Sequence, residues 1–146
     1  MPCLPESSDA ACCVFLLFLL VVVLIVSAFR HNSDWEVFFR AMRRIERTRV
    51  FMTREVTHIG PYGITRNEWL ESGVPGRWED CRGDGYSRKV LMAYWMNLCP
   101  DAVKKKRFDI LAGLHFGGWN GFRSSDGRRY WKAVYAEMRR IKEVIF

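Results

Sequence analysis

No lysine or arginine precedes Arg30; the only charges before it are Glu6 and Asp9. A secretory signal normally opens with positive charge, so this absence argues against a cleaved leader, although Val26, Ser27 and Ala28 supply the small residues of a cleavage site. Both readings stay open, with a retained signal-anchor favoured. Cysteine is sparse: five in all, of which only Cys81 and Cys99 lie beyond residue 13. Two such cysteines with no matching histidine pair exclude a zinc finger. They leave a single Cys81–Cys99 disulfide open, to form only in an oxidising space. Cys12 and Cys13 are open either to acylation or to a role as plain apolar filler. Internal repeats and low-complexity tracts are missing too, which excludes solenoids and biased linkers.

What is present begins with an uncharged apolar run at 10–29. A helix of about 20 residues matches the roughly 30 Å hydrocarbon core of a bilayer and satisfies its own backbone. The expectation is a polar tail at 1–9, a transmembrane helix at 10–29 and one globular domain at 30–146, hence a single-pass membrane localisation. Positive charge follows the run at Arg30, Arg40, Arg43 and Arg44, and none precedes it. The positive-inside rule therefore puts the domain on the cytoplasmic or particle-interior side. A cell-wall enzyme would need the other side, so the sidedness stays open. The domain is one by size and large enough for its own core. Aromatics at 14%, with six tryptophans, are too many for a disordered chain. A net charge of +7 suits anionic partners such as acidic polysaccharide, acidic lipid or nucleic acid.

Periodicity gives the domain a mainly helical reading with a minor β-hairpin region. Ser33 or Asp34 is placed to cap an amphipathic helix through Trp35, Phe38, Phe39, Met42, Ile45 and Glu46, ending near Arg47. Irregular chain with a short hairpin follows over 48–63. A short helix over 65–72 is closed by Gly73, and a loop covers 74–85. Helices are expected at 86–98 and 109–115, with a basic turn at 104–107 between them. A Gly/Ser loop over 120–128 leads to a final amphipathic helix at 129–144.

Three places carry chemistry. Glu46 falls at the end of its helix beside the apolar face of Met42 and Ile45, where partial desolvation raises a carboxyl pKa towards that of a general acid. Read locally, it is equally a surface glutamate paired with Arg43 or Arg47. Gly60-Pro61-Tyr62-Gly63-Ile64-Thr65 forms a turn ahead of Trp69, with glycines that let backbone approach a ligand. His115-Phe116-Gly117-Gly118-Trp119-Asn120-Gly121, followed by Tyr130-Trp131, suits a carbohydrate wall or a plain helix stop.

Taken together and in this order, these pieces resemble the lysozyme superfamily, especially the invertebrate-type (destabilase) lysozymes and their phage-like relatives. Ile45-Glu46 matches the family's acid at the end of its first helix. The Gly60 to Ile64 turn matches its Gly-Pro-Tyr/Phe or Tyr-Gly turn. The His115 to Gly121 segment with Tyr130-Trp131-Lys132-Ala133-Val134 matches its His-Asn-Gly-Gly-Pro-Asn-Gly and Tyr-Trp-x-x-Val signature. The departures are a Glu46-Arg47-Thr48 sequence in place of Glu-Ser-Gly, a missing Gln after the Tyr turn, and Phe116 and Trp119 where Asn and Pro are common. Most of the family's cysteines are missing, and the second carboxylate falls to Glu55 by position.

The resemblance implies an α+β lysozyme-like fold and hydrolysis of a β-1,4 bond in peptidoglycan or a related aminosugar polymer. Glu46 would be the acid, and Glu55 the nucleophile or the base. A carboxyl separation of about 5–5.5 Å would mean retention and about 6.5–9.5 Å inversion. Tyr62, Gly63, His115, Gly117, Gly118 and Asn120 would line the sugar cleft. No metal or cofactor is implied. The expected partners are the polysaccharide and a bilayer met through 10–29. Nucleic acid is not expected, and the oligomeric state is open. The alternative is a catalytically inactive lysozyme-fold envelope protein that binds glycan or protein.

Overall fold

The computed structural model of the chain describes residues 8–50 and 57–145; within the first helix it places the side chains of 13–24 and 34–48. Glu55 lies outside the described residues. The chain divides into two units, Met1–Glu36 and Val37–Phe146.

Helix α1 runs Ser8–Val50 without a break. No glycine or proline interrupts this stretch, so the capping signal at Ser33 and Asp34 is overridden and the expected helix start there is corrected. In the first unit, the described side chains from Cys13 to Leu24 are exposed. The expected single-pass span over 10–29 is corrected as well. Among the described residues no helix is long and apolar enough to cross a membrane. The membrane localisation and the fold class built on that span fall with it. The described residues form a mostly helical structure with one two-stranded sheet.

In the second unit, β1 (His58–Ile59) pairs antiparallel with β2 (Ile64–Thr65), His58 opposite Thr65 and Ile59 opposite Ile64. Then follow α2 (Arg66–Ser72), a 3-10 helix at Trp78–Arg82, α3 (Asp84–Leu98), α4 (Pro100–Lys104), α5 (Phe108–Gly117), a second 3-10 helix at Gly118–Arg123 and α6 (Ser125–Ile145). Thr65 caps α2 and Gly73 ends it in the left-handed conformation.

The core is assembled by helical spacing. Phe38, Phe39 and Met42 of α1 are buried, as are Val90, Leu91, Tyr94 and Trp95 of α3, Leu111, Ala112 and Leu114 of α5, and Tyr130, Val134, Met138 and Ile141 of α6. Phe38 stacks on Phe108 at 4.4 Å and leans on Trp95 at 5.8 Å. Arg44 of α1 forms an ion pair with Glu137 of α6. Cys81 is fully buried and Cys99 half-buried, both as free thiols.

The expected loop over 120–128 is not a loop. Its glycines serve backbone contact instead. A Cβ on Gly121 would lie 1.9 Å from the Gly113 carbonyl oxygen, and one on Gly127 would lie 1.9 Å from the Gly121 oxygen. Only glycine lets α5, the second 3-10 helix and α6 touch main chain to main chain.

Candidate functional site

Glu46 extends the buried stripe of α1. Phe38, Met42 and Glu46 are spaced by four, so they share one face, and the carboxyl is carried inward with its apolar neighbours. It is 2% exposed. The local reading as a surface glutamate is therefore corrected: this carboxyl is desolvated.

The hairpin closes over it. The Gly63 N–H donates to the Gly60 carbonyl at 3.2 Å, which makes 60–63 a tight turn with Pro61 at its second position. Gly63 has φ +62°, and a Cβ there would stand 2.7 Å from Glu46 Oε2. The backbone therefore lies directly against the carboxyl, where no side chain fits. Tyr62 fixes the turn from behind. Its hydroxyl donates to Asp84 Oδ1 at 2.9 Å and accepts from Arg88 Nε at 2.8 Å, and the ring meets Phe39 edge-on at 5.5 Å. Burial and the Asp84 hydrogen bond push the Tyr62 hydroxyl up to about 12. Tyr62 is fully buried and braces the turn.

His115 arrives from the last turn of α5 and is buried. Its Nδ1 lies 2.6 Å from Glu68 Oε1, and its Nε2 lies 3.6 Å from Glu46 Oε1. The first is a hydrogen bond and the second an ion-pair contact. Glu68 is itself fixed. It is the third residue of α2, and its Oε2 accepts from the Thr65 N–H at 2.8 Å and the Thr65 hydroxyl at 3.0 Å, while its own N–H donates back to Thr65 Oγ1 at 3.2 Å. One carboxylate oxygen thus completes the helix cap and the other faces the imidazole. Two opposing causes act on His115. Burial, the largest, pushes its pKa down, but the charges of Glu68 and Glu46 and their hydrogen bonds together raise it from 6.5 to about 10. The two carboxylates thus favour the protonated imidazole over the neutral one.

The fold brings Glu46, Gly63 and His115 together and adds Glu68. The Thr65-x-x-Glu68 capping box is visible in the sequence, but its link to His115, 47 residues away, is not. Gly117 and Gly118 follow His115 with open space over both Cα positions. Asn120 is exposed, and Trp119 is 57% exposed and fills no cleft. Among the described residues no group of His, Cys, Asp and Glu is arranged to hold a metal ion.

Two carboxylates flank one imidazolium in a dry setting. With both carboxylates ionised the cluster carries a net −1; with one extra proton it is neutral. Such a cluster can store one proton and release it to a neighbouring basic atom. No family profile, curated protein or solved structure matches the chain.

Proposed function

We propose that the chain is a lysozyme-like glycoside hydrolase acting on the β-1,4 bonds of peptidoglycan or a related aminosugar polymer, with Glu46 as the acid. One observation carries the reading: a desolvated carboxyl, a glycine turn and a histidine, from three segments far apart in sequence, meet beside the open-faced glycines that follow His115. In this arrangement Glu46 donates its proton to the glycosidic oxygen as the bond to the anomeric carbon breaks, and a water then bonds to that carbon and returns a proton to the Glu46 carboxylate. Gly63 leaves no side chain between the carboxyl and the turn. Gly117 and Gly118 offer backbone that a sugar can approach closely. The exposed cations of α6, Arg129, Lys132, Arg139 and Arg140, and the Lys104-Lys105 turn favour an anionic polymer.

The full chain is expected to clear a peptidoglycan suspension, and Glu46→Gln is expected to abolish clearing while leaving the circular dichroism spectrum intact. A folded Glu46→Gln protein that clears at the wild-type rate removes Glu46 from the mechanism. The 2% exposure of Glu46 favours a second reading, a glycan-binding protein in which the same cluster is structural. Wild-type chain that pellets with peptidoglycan but never clears it establishes that second reading.

A further inference from the structure

The first turns of α5 and α6, with the second 3-10 helix, enclose a cavity of about 310 Å³ that shares no residue with the site around Glu46. Its apolar lining is Ile110, Phe122 and Trp131, all half-buried, and its charged lining is Arg107, Asp109 and Arg128. We propose that this cavity binds a small carboxylate carrying a flat ring, with the ring against Trp131 and the carboxylate on the Arg128 guanidinium. The proposal goes beyond the hydrolase reading and does not depend on it.

Charge complementarity selects the ligand. Two guanidiniums line the cavity against one carboxylate, and the two are not equivalent. Arg107 is already engaged: its Nε donates to Asp109 Oδ1 at 3.0 Å and its Nη2 to Asp109 Oδ2 at 2.8 Å, a two-pronged pairing. The hydrogen bond from Arg107 holds the Asp109 carboxyl below its ordinary value, so the pair is neutral overall near neutral pH. Arg128 donates to the Arg123 carbonyl and, among the described residues, meets no carboxylate. The acid next to it in sequence, Asp126, pairs with Arg129 at 3.6 Å. One positive charge is therefore left for a ligand, on a planar fork that fits a carboxylate, and a single charge favours a monoanion over a phosphate dianion. Size and lining set the rest. A volume of about 310 Å³ lies at the small end of ligand cavities, roughly 300–1,000 Å³, and suits one ring rather than an oligomer. Trp131 packs against Tyr135, one turn further along α6, with centroids 5.5 Å apart, which steadies its indole for stacking. Gly127 adds bare main chain to the wall, pressed against the Gly121 carbonyl, so that part of the wall is set before a ligand arrives.

Benzoate is the probe, with benzamide as its neutral copy and acetate as the same charge without a ring. The readout is the Trp131 indole N–H signal in NMR spectra of the full chain at constant ionic strength, identified by its loss in Trp131→Phe. Benzoate is expected to move this signal to saturation with a Kd of about 1 mM or tighter. Benzamide and acetate are each expected to bind about tenfold more weakly. Arg128→Gln, a change at an exposed position, is expected to weaken benzoate about tenfold and to leave benzamide as it was. Asp109→Asn acts the other way: it releases Arg107 as a second fork and is expected to tighten benzoate about threefold or more, a gain that loss of a merely structural contact would not give. Equal affinity for benzoate and benzamide, undiminished benzoate binding by Arg128→Gln, a folded Asp109→Asn chain with no gain, or no saturation by about 10 mM overturns the proposal. The comparison of the three probes uses wild-type protein alone, so it decides even if a variant fails to fold.

Discussion

Gly63 and Gly73 offer a matched pair of substitutions. Both have left-handed backbone, φ +62° and +67°, so alanine meets the same conformational penalty at each. Their surroundings differ. A Cβ at Gly73 would find nothing within 4 Å, whereas one at Gly63 would stand 2.7 Å from Glu46 Oε2. The left-handed conformation costs about 1–2 kcal/mol, and the stiffer unfolded chain returns about 0.5–1 kcal/mol. Gly73→Ala should therefore destabilise by about 1 kcal/mol, a melting shift of roughly 4 °C for a unit of this size. Gly63→Ala adds the displacement of a carboxyl that has no solvent to move into. Pushing it off His115 leaves a buried polar group poorly satisfied, a further cost of about 1–3 kcal/mol. Urea unfolding of both variants, followed by fluorescence, measures the difference. Clearing assays on the same samples should show activity kept in Gly73→Ala and lost in Gly63→Ala. Equal midpoints for the two, with equal activity, would refute the close contact between the turn and Glu46.

Stability should fall as pH rises above neutral. His115 has a folded pKa above its unfolded one, so its contribution is complete below about 6.5 and is lost as pH climbs through about 10. Cys81, pushed up from 9.0 to about 11 by burial, and Tyr62, from 10.0 to about 12, act in the same direction but later. A fall in the urea midpoint between pH 7 and 9 that persists in full in His115→Gln would contradict this assignment. The thiols should also separate by reactivity: iodoacetamide at pH 8 should alkylate half-buried Cys99 well before buried Cys81 in the folded chain, and equal rates would contradict the burial of Cys81.

How much of this was legible from the residues varies by element. Helix α2 was, because Thr65 supplies a cap, Glu68 completes the box and Gly73 supplies the stop. The start of the helix bearing Glu46 was not: one capping signal at Ser33 or Asp34 cannot end a helix when nothing between residues 8 and 50 breaks it. Gly121 and Gly127 read as loop formers because the stretch is rich in Gly and Ser, while the carbonyls they touch lie eight and six residues back, in contacts that composition does not show. The span over 10–29 followed from a count of apolar residues, and among the described residues no helix is long and apolar enough to bear it. At the site, Glu46, Gly63 and His115 could be named from a family likeness. The role of Tyr62 as a buried brace depends on Asp84 and Arg88, and no local pattern announces that pairing. The partnership of Glu68 with His115 is equally a product of the tertiary fold.

The bare contact of Gly113, Gly121 and Gly127 has a mechanical consequence. Three lengths of main chain rest on one another with no rotatable side chain between them, so none can shift without lifting the next. Gly117 and Gly118 lie between the first two of these lengths, at the end of α5 and the start of the second 3-10 helix. On the proposed reading, a sugar arriving there would meet backbone already set by these contacts, with little ordering entropy left to lose.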